Sequence, residues 1–300
     1  MSVFAALKQR LEYVCPQLEL RPDEPMSRHT SFRIGGAVRL MALPADQAQA
    51  VAAVTVAREL GVTPFFLGNG SNLLVSDEGV ERFLIKTSHL RDCQVQGTTI
   101  LAGGGVTLAR LATFAREQGL TGLEFAHGIP GTLGGAVTMN AGAYGGEMAQ
   151  VVTGVTCLYP DGTVREEREF GFGYRQSAFS DGERMILSVR LELTEGDRAQ
   201  ITGRMEQLAA QRQEKQPLEY PSAGSMFKRP EGYFAAALID QCGLKGLQVG
   251  DAQVSEKHAG FVINRGCATC ADVLALTERV RAIVLERTGV TLEMEVKVLR

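Results

Sequence analysis

Residues 119–147, GLTGLEFAHGIPGTLGGAVTMNAGAYGGE, decide how this chain is read. The stretch is dense in glycine, holds one proline, and carries no lysine or arginine. A buried apolar segment does not use glycine this freely, because each glycine loses more backbone entropy on folding than any other residue. Glycine is favoured where backbone turns sharply or comes close to a ligand. Gly128-Ile129-Pro130-Gly131-Thr132-Leu133-Gly134-Gly135 therefore reads as a bare-backbone surface whose N–H groups could face phosphates or a flat ring. A glycine-rich turn cluster between strands is the plainer alternative.

A second loop strengthens the ligand reading. Pro64-Phe65-Phe66-Leu67 has the character of a short buried strand; Gly68-Asn69-Gly70-Ser71-Asn72 follows, and then the apolar Leu73-Leu74-Val75. Strand, glycine-rich loop, strand is a nest-forming pattern suited to a pyrophosphate. It is not a Rossmann fingerprint, since the third glycine and the following helix are missing, and no Gly-Lys-Ser/Thr of a Walker A loop occurs. Two such loops suggest a nucleotide cofactor held by a fold other than Rossmann.

Composition narrows the class. At 300 residues, 45% hydrophobic and 22% charged, the chain can bury real cores in two domains. Lys+Arg 31 against Asp+Glu 34 gives a net charge of −3, which argues against a nucleic-acid protein. No apolar run approaches the ~18 residues of a membrane span. The first twenty residues mix charges and read as a short amphipathic helix rather than a signal peptide. Cys15, Cys93, Cys157, Cys242, Cys267 and Cys270 are scattered as in a reduced, cytoplasmic protein. Cys267-Ala-Thr-Cys270 has no second ligand pair at zinc spacing, and His29, His89, His127 and His258 are far apart. It reads as a loop entering a helix, and no metal is expected.

Along the chain, strands are expected at 37–43, 64–67, 83–86, 100–102 and 185–194, with a hairpin of 151–159 and 163–166 around Pro160-Asp161-Gly162. Helices are expected from Asp46 to Gly61 and over 107–118. The texture changes near 196–199. A polar helix over 200–216 follows, and helices at 234–242 and 271–287 flank a strand at 259–264. This is an α+β pattern rather than a regular doubly wound one. It divides into residues 1–199, in two lobes of about 1–63 and 64–199, and a smaller domain of 200–300.

Three constellations carry possible chemistry. In Gly173-Tyr174-Arg175-Gln176-Ser177-Ala178-Phe179, an arginine beside a glycine-aromatic turn could bind a carboxylate or phosphate, or simply face solvent. In Pro221-Ser222-Ala223-Gly224-Ser225-Met226-Phe227-Lys228, Ser225 could be half of a Ser-x-x-Lys pair, a hydroxyl that donates a proton, or a helix N-cap. In the tail, expected as a strand over 291–299, alternation puts Leu292, Met294, Val296 and Val298 on one face. Glu293, Glu295 and Lys297 fall on the other, and spacing cannot choose between the glutamates.

Together these segments resemble the UDP-N-acetylenolpyruvoylglucosamine reductase family, flavoenzymes of peptidoglycan precursor synthesis. The blocks that carry the resemblance are Thr30-Ser31-Phe32-Arg33-Ile34-Gly35-Gly36, Gly68 to Val75, Glu124 to Gly146, Tyr174-Arg175-x-Ser177-x-Phe179, Pro221 to Lys228, Gly250 to Phe261, and Leu292-Glu293-x-Glu295-Val296. Seven blocks in order, over almost the whole length, are highly specific. The resemblance implies a two-lobed FAD-binding domain of the vanillyl-alcohol-oxidase (PCMH) type and a smaller α/β substrate-binding domain.

It further implies that NADPH reduces non-covalent FAD, and that a hydride then passes from the flavin N5 to the methylene carbon of UDP-N-acetylglucosamine enolpyruvate. Arg175 and Glu295 match the family residues that stabilise the enolate, and Ser225 matches the one that protonates it. Arg33, Gly68, Asn69, Gly70, Ser71, Asn72, Leu73, Gly128, Ile129, Pro130, Gly131, Thr132, Gly134, Gly135, Ala141 and Gly142 would lie against FAD. Tyr144, Lys215, Lys228 and Lys257 would meet the substrate. No capping-loop tyrosine stands between Arg175 and Ser225, as in the short, class II form, and Arg229 stands where some members have asparagine. A cytoplasmic monomer is expected. Two other readings compete: an oxidase of the same fold acting on a small alcohol or sugar, and a nucleotide-binding module without catalysis.

Overall fold

The computed structural model describes residues 2–300, which fall into two compact units. The first is built from Met1–Glu24, Arg39–Asn69 and Arg82–Ala210. The second is built from Pro25–Val38, Gly70–Glu81 and Gln211–Arg300.

In the first unit, helix α1 (Val3–Val14) starts at Ser2, whose hydroxyl accepts from the Ala5 N–H, and buries Leu7 and Leu11 four residues apart. The amphipathic helix was expected to run through the first twenty residues. It stops earlier because Cys15 precedes Pro16, and a residue before proline is pushed out of the helical region. Glu19–Pro25 is instead a strand. Helix α2 (Gln47–Glu59) is capped by Asp46 and buries Ala50, Ala53, Val54 and Ala57, one stripe at helical spacing. That stripe packs with Leu40, Ala42, Phe83 and Ile85 of a four-stranded sheet. The sheet order is Glu19–Pro25, Ala37–Leu43, Val80–Lys86, Pro64–Leu67, the last two strands being parallel.

A second sheet is fully antiparallel, in the order Val164–Glu167, Val152–Leu158, Met185–Glu192, Thr99–Gly103, Cys93–Gln96. Leu187 is an extra residue opposite the Thr156–Cys157 step. Such a bulge lets one strand serve two cores. Met185 and Leu187 join the core of α1 and α2, while Ile186, Val189 and Leu191 join that of α3 (Leu108–Glu117) and α4 (Leu133–Thr138). The bulged Leu187 carbonyl accepts from the Gly104 N–H at 2.8 Å. Ile201 and Met205 of α5 (Arg198–Lys215) complete this second core.

The second unit has an antiparallel sheet in the order Ser222–Ser225, Phe261–Asn264, Ala252–Val254, Gln248–Val249. Helices α6 (Ala235–Gln241) and α7 (Cys270–Thr288) pack on it through Leu238, Ile239, Val273, Leu276, Val280 and Val284. Phe32, Ile34 and Leu74 belong to this core, although they come from early in the chain. Asn264 ties the first of these segments in, donating to the Phe32 carbonyl at 3.2 Å. Asp77 ties in the other by accepting from the Cys270 and Ala271 N–H groups at the start of α7. Cys270 thus opens a helix, and burial, followed by the charge of Asp77, pushes its thiol up to about 11. Among the described residues no group of three His, Cys, Asp or Glu is arranged to hold a metal ion.

The tail departs from simple alternation. Only Lys297–Leu299 is a strand, paired in parallel with Leu73–Val75, and Met294 makes an isolated bridge to Phe227. Leu292 and Val296 are buried as expected, but Val298 is exposed and Leu299 is buried in its place. The tail has different partners on its two sides, so its register is set twice, and one two-residue period cannot satisfy both.

Candidate active site

The loop after Pro64–Leu67 has the chemistry of an anion cradle. Gly70 has φ +61°, and a Cβ there would overlap the His29 carbonyl oxygen, so only glycine fits. The N–H groups of Asn69, Gly70 and Ser71 find no acceptor among the described residues. Three successive open N–H groups in a left-handed turn form a nest for phosphate oxygens. At Gly68 a Cβ would overlap the Thr132 hydroxyl, which brings this loop against the other glycine-rich stretch.

That other stretch is less bare than its sequence suggests. Leu133–Thr138 is a helix capped by the Thr132 hydroxyl, which accepts from Gly135 N–H. The N–H groups of Gly131, Leu133 and Gly134 donate to Ile129, Val106 and Gly104. The glycines here serve close packing on Gly104 as well as exposure. Gly128 and Gly135 remain exposed, and the buried Nδ1 of His127, beside Gly128, has no partner among the described residues. Exposed glycines and an unsatisfied buried nitrogen within the first unit are what a hydrogen-bonding dinucleotide needs, so these residues fit FAD.

The rest of the first unit's candidates gather past the end of α4, which is only ~9 Å long. Ala141 N–H donates to the Ala136 carbonyl, and the Arg175 guanidinium donates to the Gly142 carbonyl at 3.4 Å. The Tyr174–Arg175 turn is anchored by Asn140, which donates to Gly173 O at 3.2 Å, and by the Ser177 and Ser180 hydroxyls, which donate to Thr138 O. Asn140, Tyr144 and Arg175 all have left-handed φ, at 42°, 55° and 56°. Non-glycine residues held in that region cost ~1–3 kcal/mol each and cluster at functional sites. Asn140 belongs to no motif of its own in the sequence; its place between two candidate segments is the available signal.

In the second unit, Ser225 ends the strand that pairs with Phe261, which removes the N-cap reading. The next residue, Met226, accepts from the Glu295 N–H at 2.9 Å, and the Lys228 N–H donates to the Glu293 carbonyl at 2.8 Å. The backbone of Glu295 is thereby paired with the residue that follows Ser225. Asn72 reaches the same backbone through its side chain, which donates to the Glu295 carbonyl at 3.1 Å. Arg33, at φ +57°, is exposed beside the Thr30–Ser31 turn, and the Ser31 N–H donates to Gly70 O. Lys228 pairs with the Glu293 carboxylate. Two further lysines are candidates for the substrate. Lys215 is exposed at the end of α5, and the Lys257 ammonium donates to Gln213 O at 2.7 Å, with Glu219 3.8 Å away.

Two expected results follow from the frame around these residues. Gly70→Ala combines a left-handed φ with an overlap on backbone, so it should cost at least ~1–3 kcal/mol and lower the melting temperature by several degrees. Thermal unfolding checks this. His258 supports the strand beside Ser225, its Nδ1 accepting from Gly260 N–H at 3.1 Å and its ring packing edge-on to Phe261. Burial, with help from Lys245, holds its imidazole below the ordinary value. The unfolded chain takes up a proton near pH ~6.5 that the folded protein resists. Stability should therefore fall as pH drops below that point. His258→Asn keeps an acceptor for Gly260 but does not titrate. Melting temperatures measured down to about pH 5.5 should decline less steeply in this variant.

Comparison with known proteins gives the family of the chain. Residues 38–167 match the family model described as "FAD binding domain", and 216–299 match "UDP-N-acetylenolpyruvoylglucosamine reductase, C-terminal domain". The fold and site define an FAD-binding α+β flavoprotein with a distinct C-terminal domain, and FAD is its cofactor. The reductase of that name from Caldanaerobacter subterraneus subsp. tengcongensis is 45% identical over 294 residues, covering 97% of each chain. The one from Clostridium kluyveri is 44% identical over 303 residues, covering 100% of this chain and 99% of its own. The crystal structure of the enzyme from Thermus caldophilus aligns with a TM-score of 0.81 at 36% identity, over 95% of this chain and 99% of that one. The chain belongs to the UDP-N-acetylenolpyruvoylglucosamine reductase family. No helix among the described residues is long and apolar enough to cross a membrane.

Proposed function

We propose that this protein reduces UDP-N-acetylglucosamine enolpyruvate to UDP-N-acetylmuramate, using NADPH and non-covalent FAD. The observation that supports this reading is the 2.9 Å bond from Glu295 N–H to Met226 O, which runs the backbone of Glu295 alongside the segment that carries Ser225. The substrate's enol ether carries a C=C bond conjugated with a carboxylate. Its reduction breaks the π bond and forms two C–H bonds, one from a hydride at the methylene and one from a proton at the carbon bearing the carboxylate. When bound, FAD supplies the hydride, which it has taken from NADPH.

The chain's own residues handle the charge and the proton. Negative charge develops on the carboxylate as the hydride adds. Arg175 presents a planar guanidinium fork that suits two carboxylate oxygens. Glu295 assists as a hydrogen-bond donor in its neutral form, because a charged carboxylate would repel the developing anion. Ser225 gives its hydroxyl proton to the carbon. Serine is a weak acid, so it works only against a base as strong as this enolate and must then be reprotonated.

Binding divides among the loops. The open N–H groups of Asn69, Gly70 and Ser71 would hold the FAD pyrophosphate, with Gly68, Asn72, Leu73, Arg33, Gly128–Gly135, Ala141 and Gly142 around the cofactor. Tyr144, Lys215, Lys228 and Lys257 would meet the UDP-sugar. Lys228 can do so although it pairs with Glu293, because an exposed ion pair is worth only ~0–1 kcal/mol and a phosphate can compete for it.

The test is anaerobic. One equivalent of NADPH should bleach the yellow holoenzyme, and the enolpyruvyl substrate should restore the colour with UDP-N-acetylmuramate formed. Reduced protein that ignores the substrate but reoxidises at once in air would favour the oxidase reading and remove the roles given to Arg175, Ser225 and Glu295. Protein that binds FAD and is not reduced by NADPH would leave only a binding module.

A further inference from the structure

We infer that Asn72 is a positioning residue for Glu295, through which the glycine-rich loop and the glutamate-bearing tail move as one piece. The placement of Glu295 in the reaction rests on the function proposed above; the mechanical link does not.

The link is a ladder in the second unit. The Lys297 N–H donates to the Asn72 carbonyl at 3.1 Å, and the Asn72 carboxamide donates back to the Glu295 carbonyl at 3.1 Å. Beyond Asn72, Leu73–Val75 pairs in parallel with Lys297–Leu299, and Ser76 N–H closes the run on Leu299 O at 2.9 Å. The side chain of Asn72 thus extends the ladder by one rung toward the loop, standing in for a backbone N–H. On its other side, the Glu295 peptide is held by Met226. Both backbone polar groups of that one residue are therefore fixed, its N–H by the segment of Ser225 and its C=O by the loop.

The loop end is equally constrained. Gly70 O accepts from Ser31 N–H at 3.3 Å, and the Ser31 hydroxyl donates to Ser222 O at 2.6 Å. The hydrogen bonds close a circuit: Ser222 and Ser225 on one strand, Ser31, Gly70, Asn72, Glu295, and back to Met226. A shift in the nest at Gly70–Ser71 passes along this circuit to Glu295. Ligand on the nest should stiffen the tail, and a loosened tail should disorder one wall of the nest. Asn72 lies in the loop the family resemblance assigns to FAD, but its carboxamide N–H is committed to the tail.

Hydrogen exchange of the full-length holoprotein tests this with excess FAD, and again without FAD, by following the peptide that spans the tail. Asn72→Ala should speed exchange there by about three- to tenfold, as expected for loss of one neutral hydrogen bond. FAD affinity, read by flavin fluorescence, should fall by no more than about tenfold, because the nest N–H groups are backbone and only one neutral hydrogen bond is lost. Asn72→Asp is the informative partner. Its ionised carboxylate faces the Glu295 carbonyl and cannot donate, so exchange should be at least as fast as in the alanine variant. Protonation restores a donor, so protection should return as pH falls through the ordinary carboxylate range, at about pH 4. Alanine shows no such recovery.

Unchanged tail exchange in both variants overturns the inference. So does a loss of FAD affinity of a hundredfold or more with the tail unaltered, since the Asn72 carboxamide would then serve the cofactor rather than the tail. If Asn72→Ala fails to fold, the pH recovery of Asn72→Asp decides alone. None of these readouts depends on turnover, so failure of the proposed reaction and failure of this link give different results.

Discussion

Ser225→Ala should reduce normally with NADPH and then stall when the enolpyruvyl substrate is added, with the substrate-dependent step slowed by ~10²–10⁴-fold. The size is that of a positioned proton donor, and the selectivity is the stronger part of the expectation. A change that merely disturbed the strand would also weaken FAD binding or NADPH oxidation. Ser225 is exposed at the end of its strand, and the alanine keeps the Phe261 pairing and the Met226 N–H bond to Gly260. The fold should hardly notice. Stopped-flow absorbance of the two half-reactions checks this; equal slowing of both, or of neither, would remove Ser225 from its role.

Glu295→Gln should lower kcat by ~10²–10³-fold with a smaller change in KM, the loss typical of removing one donor aimed at a developing charge. Glu293→Gln should change kcat by less than about threefold, because its ion pair with Lys228 is exposed and worth little. The two glutamates are equivalent by spacing. They differ because Glu293 projects to solvent, 72% exposed, on a carboxylate that meets Lys228. The backbone of Glu295 is instead held on both sides, and its side chain is half-buried. A large loss in the Glu293 variant and a small one in the Glu295 variant would reverse the assignment.

Much of this molecule can be read along the chain because its causes are local. Asp46 caps α2, Thr107 caps α3, and Pro16 ends α1, each through atoms within four residues. Gly70 must be glycine at φ +61°. The glycine-rich loops and the family blocks are likewise properties of short runs of residues. Residues 119–147 are the least transparent of these. Their glycines suggested bare backbone, yet several N–H groups are bonded internally, because they pack α4 against Gly104 and Val106. Composition cannot distinguish a glycine that faces a ligand from one that lets a helix approach a neighbouring strand.

By itself, then, the sequence determined the helices, most strands, the two loops and the family, all through periodicity, capping and motif. The tertiary structure alone decided that Pro25–Val38 and Gly70–Glu81 build the same unit as Gln211–Arg300. It alone gave the two tail glutamates different surroundings and moved the buried position from Val298 to Leu299. Those outcomes rest on hydrogen bonds between residues more than sixty positions apart, such as Asn72 with Glu295 and Met226 with Glu295. Side-chain period carries no record of which distant backbone will supply the partner.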